Sequence, residues 1–130
     1  MKAYTDIEQS KKLAEILPIK SADMHYIIVG SKEEPKHIVG LDKYIGILPS
    51  IPCWSLAALL DVLPTYLFEF DRGIDLNVYP NLNGRGWHCS YMPNCIENMK
   101  TDKFKLITSG DTLVDACYEM ILKLNKLNLL

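Results

Sequence analysis

The chain lacks the features that mark several large classes of protein. Its longest apolar run, residues 56–60, extends to residue 63 with only Asp61 intervening, and this is far short of the roughly 20 residues that span a bilayer. No apolar segment follows Met1, so we expect no secretory signal peptide, no membrane partner and a cytoplasmic location. Internal repeats and low-complexity tracts are also missing.

An excess of charge of one sign is missing as well. The chain has 14 basic and 16 acidic residues, a net charge of −2, and both halves share the charges evenly. A nucleic-acid-binding domain usually shows a clustered basic footprint, so nucleic acid is not expected as a partner. With 130 residues, 48% hydrophobic and 23% charged, the composition is that of a globular protein, and we interpret residues 1–130 as a single domain.

The four cysteines lack the spacing of a disulfide or zinc framework. Cys53, Cys89, Cys95 and Cys117 are unevenly spaced, and we interpret them as free thiols. A structural zinc site needs four ligands, usually as two close pairs. Cys89 and Cys95 are too far apart for such a pair, and the adjacent His88 and Cys89 would point to opposite faces of a strand. We therefore expect no metal site and no cofactor.

The clearest pattern that is present lies in the last twenty residues. Apolar residues recur there at the spacing of one helical face: Leu113, Ala116, Cys117, Met120, Ile121, Leu124 and Leu127. Thr112 and Asp115 have the spacing of a capping box at its start. This amphipathic helix must cover an apolar surface.

Two further helices are predicted nearer the N-terminus. The first runs over residues 7–17, opened by a capping box between Thr5 and Glu8 and ended by Pro18. The second runs over residues 53–63, with Pro52 in its first turn.

The second of these helices is apolar almost all round. Such a helix is buried on most sides, either in the core or against a second subunit. We therefore predict self-association, as a homodimer, through Trp54, Leu56 and Leu60. Alternatively, residues 19–50 of the same chain pack against this helix and bury it.

Alternating apolar and polar residues predict an antiparallel meander in the second half of the chain. The alternation covers residues 66–70, 74–79 and 87–92, with Arg72 and Gly73 as a tight turn and a last strand at 104–108. Residues 24–29 form a further strand, and 38–39 and 44–48 are candidates for short ones. The predicted fold class is α+β, an antiparallel sheet of about four to five strands packed with three helices on one face or both.

Candidate catalytic groups have simpler structural interpretations. Cys53 and Ser55 would lie at a helix N-terminus, which can lower a thiol pKa, but no base or nucleophile elbow accompanies them. The carboxylate pairs are Glu33 with Glu34, and Asp71 with Asp75; none is embedded in apolar sequence that would raise a pKa for acid–base chemistry. We therefore predict no catalytic residues and no enzyme.

The most promising contact residues lie in and after the loop that begins at residue 81. Asn83, Arg85, Trp87 and His88 are close together there. Gly84 and Gly86 do not form a phosphate cradle, because a strand rather than a helix follows them. The loop is either a hairpin connection made of turn-forming residues or the surface that contacts a ligand or partner.

Three blocks of sequence suggest a relationship. They are residues 4–18 around Tyr4-Thr5-Asp6, residues 52–64 around Pro52-Cys53-Trp54-Ser55, and residues 114–124 around Val114-Asp115-Ala116-Cys117. They resemble small proteins of Bacteroidetes-type bacteria, often carried by prophages and other mobile elements. The strand with Trp87 and the helix after Thr112 are also similar to the end of the phage α-β-α sandwich domain. These families have no assigned activity, so the resemblance implies no functional residue.

Together these observations favour a non-enzymatic accessory protein of a bacterium or its prophage that acts through protein–protein contacts. The partner is another protein or a second copy of the chain. The alternative is a regulator that binds a small molecule or nucleic acid through the hairpin loop at residues 81–88.

Overall fold

A computed structural model of the chain describes residues 2–31, 33, 35–40, 49–69, 72–93 and 106–130. These residues form three α-helices and two antiparallel sheets, which confirms the predicted α+β class. The strands are divided between a three-stranded and a four-stranded sheet rather than joined in one. Two compact units are present: an N-terminal unit, Ala3–Ala58, and a C-terminal unit, Met1–Lys2 with Leu59–Leu130. The assignment of residues 1–130 to one domain stays a prediction.

The N-terminal unit contains one α-helix, a short 3-10 helix at Ile19–Ser21 and three strands. The helix and strands are α1 (Ile7–Ile16), β1 (Met24–Gly30), β2 (Pro35–Gly40) and β3 (Ser50–Cys53). The central strand is β1, which pairs antiparallel with β2 and with β3. The predicted strands at residues 24–29 and 38–39 are confirmed, whereas residues 44–48 lie outside the described residues.

The capping box of α1 is one residue later than predicted. Asp6 rather than Thr5 is the N-cap: its Oδ1 accepts a hydrogen bond from Gln9 N at 2.8 Å, and Gln9 Oε1 accepts one from Asp6 N at 3.1 Å. The prediction that Thr5 and Glu8 form the box was therefore wrong. The shift leaves the Thr5 side chain free to turn into the interior, where it is fully buried.

The second helix is shorter than the predicted 53–63. Pro52 and Cys53 belong to β3, and α2 is Leu56–Val62. Pro52 pairs with His25 of β1, and proline is tolerated there because β3 is an edge strand of the described sheet.

The true start of α2 is capped by Ser55. Its Oγ accepts a hydrogen bond from Ala58 N at 3.2 Å. Asp23 in turn accepts hydrogen bonds from Ser55 N, at 2.9 Å, and from the Ser55 hydroxyl. Ser55 therefore serves as a helix cap held by a carboxylate.

The C-terminal unit contains the predicted meander. Its strands are β4 (Tyr66–Glu69), β5 (Arg72–Pro80), β6 (Trp87–Pro93) and β7 (Leu106–Gly110), and the helix α3 (Leu113–Lys126) follows them. The strand order β4-β5-β6-β7 confirms the prediction of sequential hairpins. Arg72 and Gly73, predicted to form a turn, lie in β5 instead.

Helix α3 packs against β6 and β7. Its N-cap is Thr112, as predicted: Thr112 Oγ1 accepts a hydrogen bond from Asp115 N at 3.2 Å. The buried residues are Val114, Ala116, Cys117, Met120, Ile121 and Leu124. Leu127, predicted to belong to this face, is the C-cap and is 49% exposed, because the helix ends there.

None of the described helices is long and apolar enough to cross a membrane.

Candidate functional site

The strand registers assign the residues of the four-stranded sheet to two faces. The face beneath α3 is apolar and buried at Cys89, Tyr91 and Leu106, and the Thr108 hydroxyl on this face donates to Ala116 O of α3 at 2.8 Å. The opposite face, here called the polar face, carries Tyr66, Asp75, Asn77, Tyr79, His88, Ser90, Ile107 and Ser109. One apolar face and one polar face are typical of an antiparallel sheet that packs against the core on one side only.

The polar face combines exposed polar side chains with an aromatic pair. Tyr66, Asp75 and Asn77 are exposed, and Tyr79 and His88 are half-buried. The rings of Tyr79 and His88 lie side by side across β5 and β6, with centroids 5.2 Å apart and planes inclined at 43°. This pair lies where the two strands approach the hairpin loop.

The hairpin loop at residues 81–86 has a fixed base and an exposed tip. Asn81 N donates to Gly86 O at 3.0 Å, which closes the loop. Gly86 has φ +108°, and a Cβ atom there would lie 2.5 Å from Gly110 O, so only glycine fits. At the tip Leu82 is 91% exposed, and Arg85 is also exposed.

The structure separates the four residues that the sequence singled out. Asn83 and Arg85 lie in the exposed part of the loop. Trp87 and His88 are consecutive residues of β6, so they point to opposite faces of the sheet. His88 joins Tyr79 on the polar face, whereas Trp87 belongs to the face that α3 covers.

Sequence reasoning missed Tyr79 as a neighbour of His88. A signal for it was available, because a hairpin closed around residues 81–86 pairs Pro80 with Trp87 and Tyr79 with His88. The alternation alone gives the faces of each strand but not the residue opposite.

Ser90 is the unusual residue of the polar face. It is fully buried although its neighbour across the sheet, Asn77, is exposed. Among the described residues, neither Ser90 Oγ nor the buried Nδ1 atom of His88 has a hydrogen-bond partner. A buried hydroxyl without a hydrogen-bond partner carries a desolvation cost, so the Ser90 Oγ does not stabilise the sheet.

The thiols are buried rather than placed for nucleophilic attack. Cys53, Cys89 and Cys117 are free, as predicted, and fully buried, whereas Cys95 lies outside the described residues. Burial raises the pKa of Cys53. A hydrogen bond with Cys117, together with burial, raises the pKa of Cys89. Cys53 and Cys89, held protonated in this way, are poor nucleophiles. The same hydrogen bond lowers the pKa of Cys117, whose fully buried position keeps it away from a solvent-borne substrate.

The other candidate groups do not assemble into a site within the described part of the chain. There, no cluster of three or more His, Cys, Asp and Glu side chains could hold a metal ion. Glu33 and Asp75 are exposed, while Glu34 and Asp71, their predicted partners, lie outside the described residues.

The predicted self-association residues include one that a second chain cannot reach. Trp54 is fully buried, and its Nε1–H donates to Ser21 Oγ at 3.0 Å. Its place is in the core of the N-terminal unit, which corrects its assignment to a contact surface. Leu56 and Leu60 are half-buried, so they alone of the three keep accessible surface.

A buried polar network around Thr5 holds the N-terminal unit together. Thr5 Oγ1 lies 2.7 Å from Ser10 Oγ and accepts a hydrogen bond from Trp54 N at 3.2 Å. The Tyr26 hydroxyl donates to Thr5 O at 2.7 Å, and burial raises the pKa of Tyr26 to about 12. Because these residues are buried, the network is structural.

The chain matches no protein-family model, no curated protein and no solved structure.

Proposed function

We propose that this chain is a non-enzymatic accessory protein that acts through contacts with another protein. The contact surface is the exposed tip of the hairpin loop together with the adjoining part of the polar face at Tyr79 and His88. The bacterial or prophage origin that the resemblance implies is part of the same proposal, and the genes that flank the coding sequence would test it.

The main support for the proposal is that residue types common in protein–protein interfaces lie together at one end of the sheet. Leu82 is almost fully exposed and Arg85 is close to it in the same loop. The Tyr79–His88 ring pair lies on the strands that enter and leave this loop. Tyrosine and arginine are enriched in protein interfaces, and an exposed leucine gains most from being covered.

The state of the thiols supports contact rather than catalysis. The nucleophile that the sequence offered, Cys53, is buried with a raised pKa. Its Sγ donates to Thr5 O at 3.5 Å, a carbonyl that cannot act as a general base.

A position-specific crosslinking experiment tests the proposal. A photoreactive amino acid replaces Leu82 in the chain expressed in the source bacterium. The matched control places it at Glu119, an exposed residue of α3. We expect a defined crosslinked protein from position 82 only, and its loss in an Arg85→Ala background. Equal crosslinking from both positions, or none from position 82, would refute the contact surface.

Light scattering decides whether the partner is a second copy. A mass near 14.8 kDa at micromolar concentration is the expected result for a protein that binds a different partner. A mass twice that value would replace the proposal with a homodimer, for which Leu56→Glu is the variant to examine because Leu56 keeps accessible surface.

The ring pair on the polar face favours a second candidate function. The adjacent Tyr79 and His88 rings offer a stacking surface for an aromatic ligand or an unpaired base, with Arg85 in the neighbouring loop. The exposed Asp75 on the same face and the net charge of −2 oppose an anionic ligand. Titration with a single-stranded oligothymidine and with ATP, followed by the intrinsic fluorescence of Trp54 and Trp87, tests this regulator function, and an unchanged signal with both ligands would refute it.

A further inference from the structure

The exposed tip of the hairpin loop contains a dipeptide with its own chemistry, Asn83-Gly84. Both residues are exposed. The side-chain amide of an asparagine is an electrophile, and the nearest nucleophile is the main-chain nitrogen of the following residue. Glycine at that position places no Cβ in the way and leaves the main chain its widest freedom to bring the two atoms together.

The hydrogen bonds of the loop hold its main chain and leave the side-chain amide of Asn83 unengaged. Asn83 N donates to Asn81 Oδ1 at 3.1 Å, and Asn81 N donates to Gly86 O at 3.0 Å. Within the described part of the chain, no hydrogen bond engages the Asn83 side-chain amide, and residues 82 and 83 form a turn in which Gly84 N makes no close hydrogen bond.

We propose that Asn83 is a site of spontaneous deamidation. Solvent hydroxide removes the proton of the Gly84 N–H, and the nitrogen attacks Asn83 Cγ. A C–N bond forms, the bond from Cγ to the side-chain nitrogen breaks, and ammonia leaves with a proton from water. One water molecule then opens the resulting succinimide at either carbonyl, which gives aspartate or isoaspartate at position 83.

Two other asparagines close to it in the sequence lack this combination. Asn77 lies in β5, its Nδ2 donates to Asp75 O at 3.1 Å, and the branched Val78 follows it. Asn81 lies in the same loop, but its Oδ1 is engaged by Asn83 N and the large Leu82 follows it. Among these three asparagines the reaction is therefore selective for Asn83.

The product changes the surface that we propose as the contact site. Aspartate adds one negative charge next to Arg85, and isoaspartate also adds a methylene to the main chain of the loop. The modification itself is independent of the proposed function, since it needs only the geometry and exposure of the loop.

One tryptic peptide allows the three asparagines to be compared directly. Cleavage after Arg72 and Arg85 releases residues 73–85, which include Asn77, Asn81 and Asn83. The folded protein is incubated at mildly alkaline pH, and fragment-ion mass spectrometry of this peptide locates each replacement of NH by O. We expect conversion at Asn83, with aspartate and isoaspartate both present, while Asn77 and Asn81 stay intact.

The Gly84→Ala variant is the matched control. A Cβ at Gly84 would lie 3.9 Å from Asn81 Nδ2, its nearest contact, and Gly84 needs no positive φ, so the loop keeps its fold. We expect this variant to lose most of the conversion over the same incubation. Conversion at the wild-type rate in Gly84→Ala, equal conversion at Asn81, or an Asn83 that reacts only after unfolding in urea would overturn the proposal.

Discussion

Replacing Thr5 by valine should destabilise the N-terminal unit although valine has the same shape. Thr5 is fully buried, and its Oγ1 is the acceptor for Trp54 N at 3.2 Å. Without the hydroxyl this N–H stays buried and unpaired, which costs about 2 kcal/mol. The Ser10 hydroxyl, 2.7 Å away in wild type, can turn to the carbonyl of Asp6 four residues earlier, so we count only one orphaned donor.

Thr5→Ser is the matched comparison, because it keeps the hydroxyl and removes the methyl group. Deleting one buried methyl group costs about 1 kcal/mol. The order of stability should therefore be wild type, then Thr5→Ser, then Thr5→Val. If apolar packing alone were important at this position, the order of the two variants would be reversed.

Urea unfolding followed by tryptophan fluorescence measures these differences. Trp54 lies in the N-terminal unit and is fully buried, and Trp87 is the only other tryptophan. In a Trp87→Phe background the signal reports Trp54 alone. A Thr5→Val midpoint equal to that of wild type, or a Thr5→Ser midpoint below that of Thr5→Val, would refute the reasoning.

Three further predictions concern the C-terminal unit and its thiols. Ile121→Asp should prevent folding, because it places a charge at a fully buried position of α3. The free-energy cost of burying that charge exceeds the usual stability of a domain. Soluble Ile121→Asp protein that unfolds cooperatively would contradict this prediction. Gly86→Ala should lower the free energy of unfolding by about 1–3 kcal/mol, because Gly86 has a positive φ and an added Cβ would lie too close to Gly110 O. An unchanged urea midpoint would contradict this prediction. Metal analysis of untagged protein should give well under one zinc per chain, and a stoichiometric zinc lost in Cys89→Ser protein would overturn the free-thiol interpretation.

Local periodicity predicted α3 and the strands of the meander, but not the faces of β4, where Leu67 is buried and Tyr66 is 52% exposed. The apolar spacing from Ala116 to Leu124 matches the buried side of α3, and the alternation in β5 and β6 matches their two faces. These patterns are reliable because the spacing of apolar residues depends only on the geometry of a single helix or strand with one buried face. The class α+β followed from the same patterns.

The site could be predicted only in part. Exposure of Asn83 and Arg85 follows from turn chemistry, which is local. The neighbour of His88 depends on strand register, and the burial of Ser90 depends on side chains that pack around it. The register can be inferred once the hairpin loop is placed at residues 81–86, whereas the burial of Ser90 is not encoded in a short window of sequence.

The start of α2 shows what only tertiary structure decided. Locally, Pro52 and Cys53 suit the first turn of a helix. Pairing of β3 with β1 instead satisfies backbone groups of residues 50–53, and Asp23, distant in sequence, accepts hydrogen bonds from Ser55 at the new helix start. Buried backbone N–H and C=O groups need hydrogen-bond partners, and for residues 50–53 the pairing with β1 supplies them. Strand pairing also decided the division between two sheets, since β3 pairs with β1 and not with β4, which follows it in the chain.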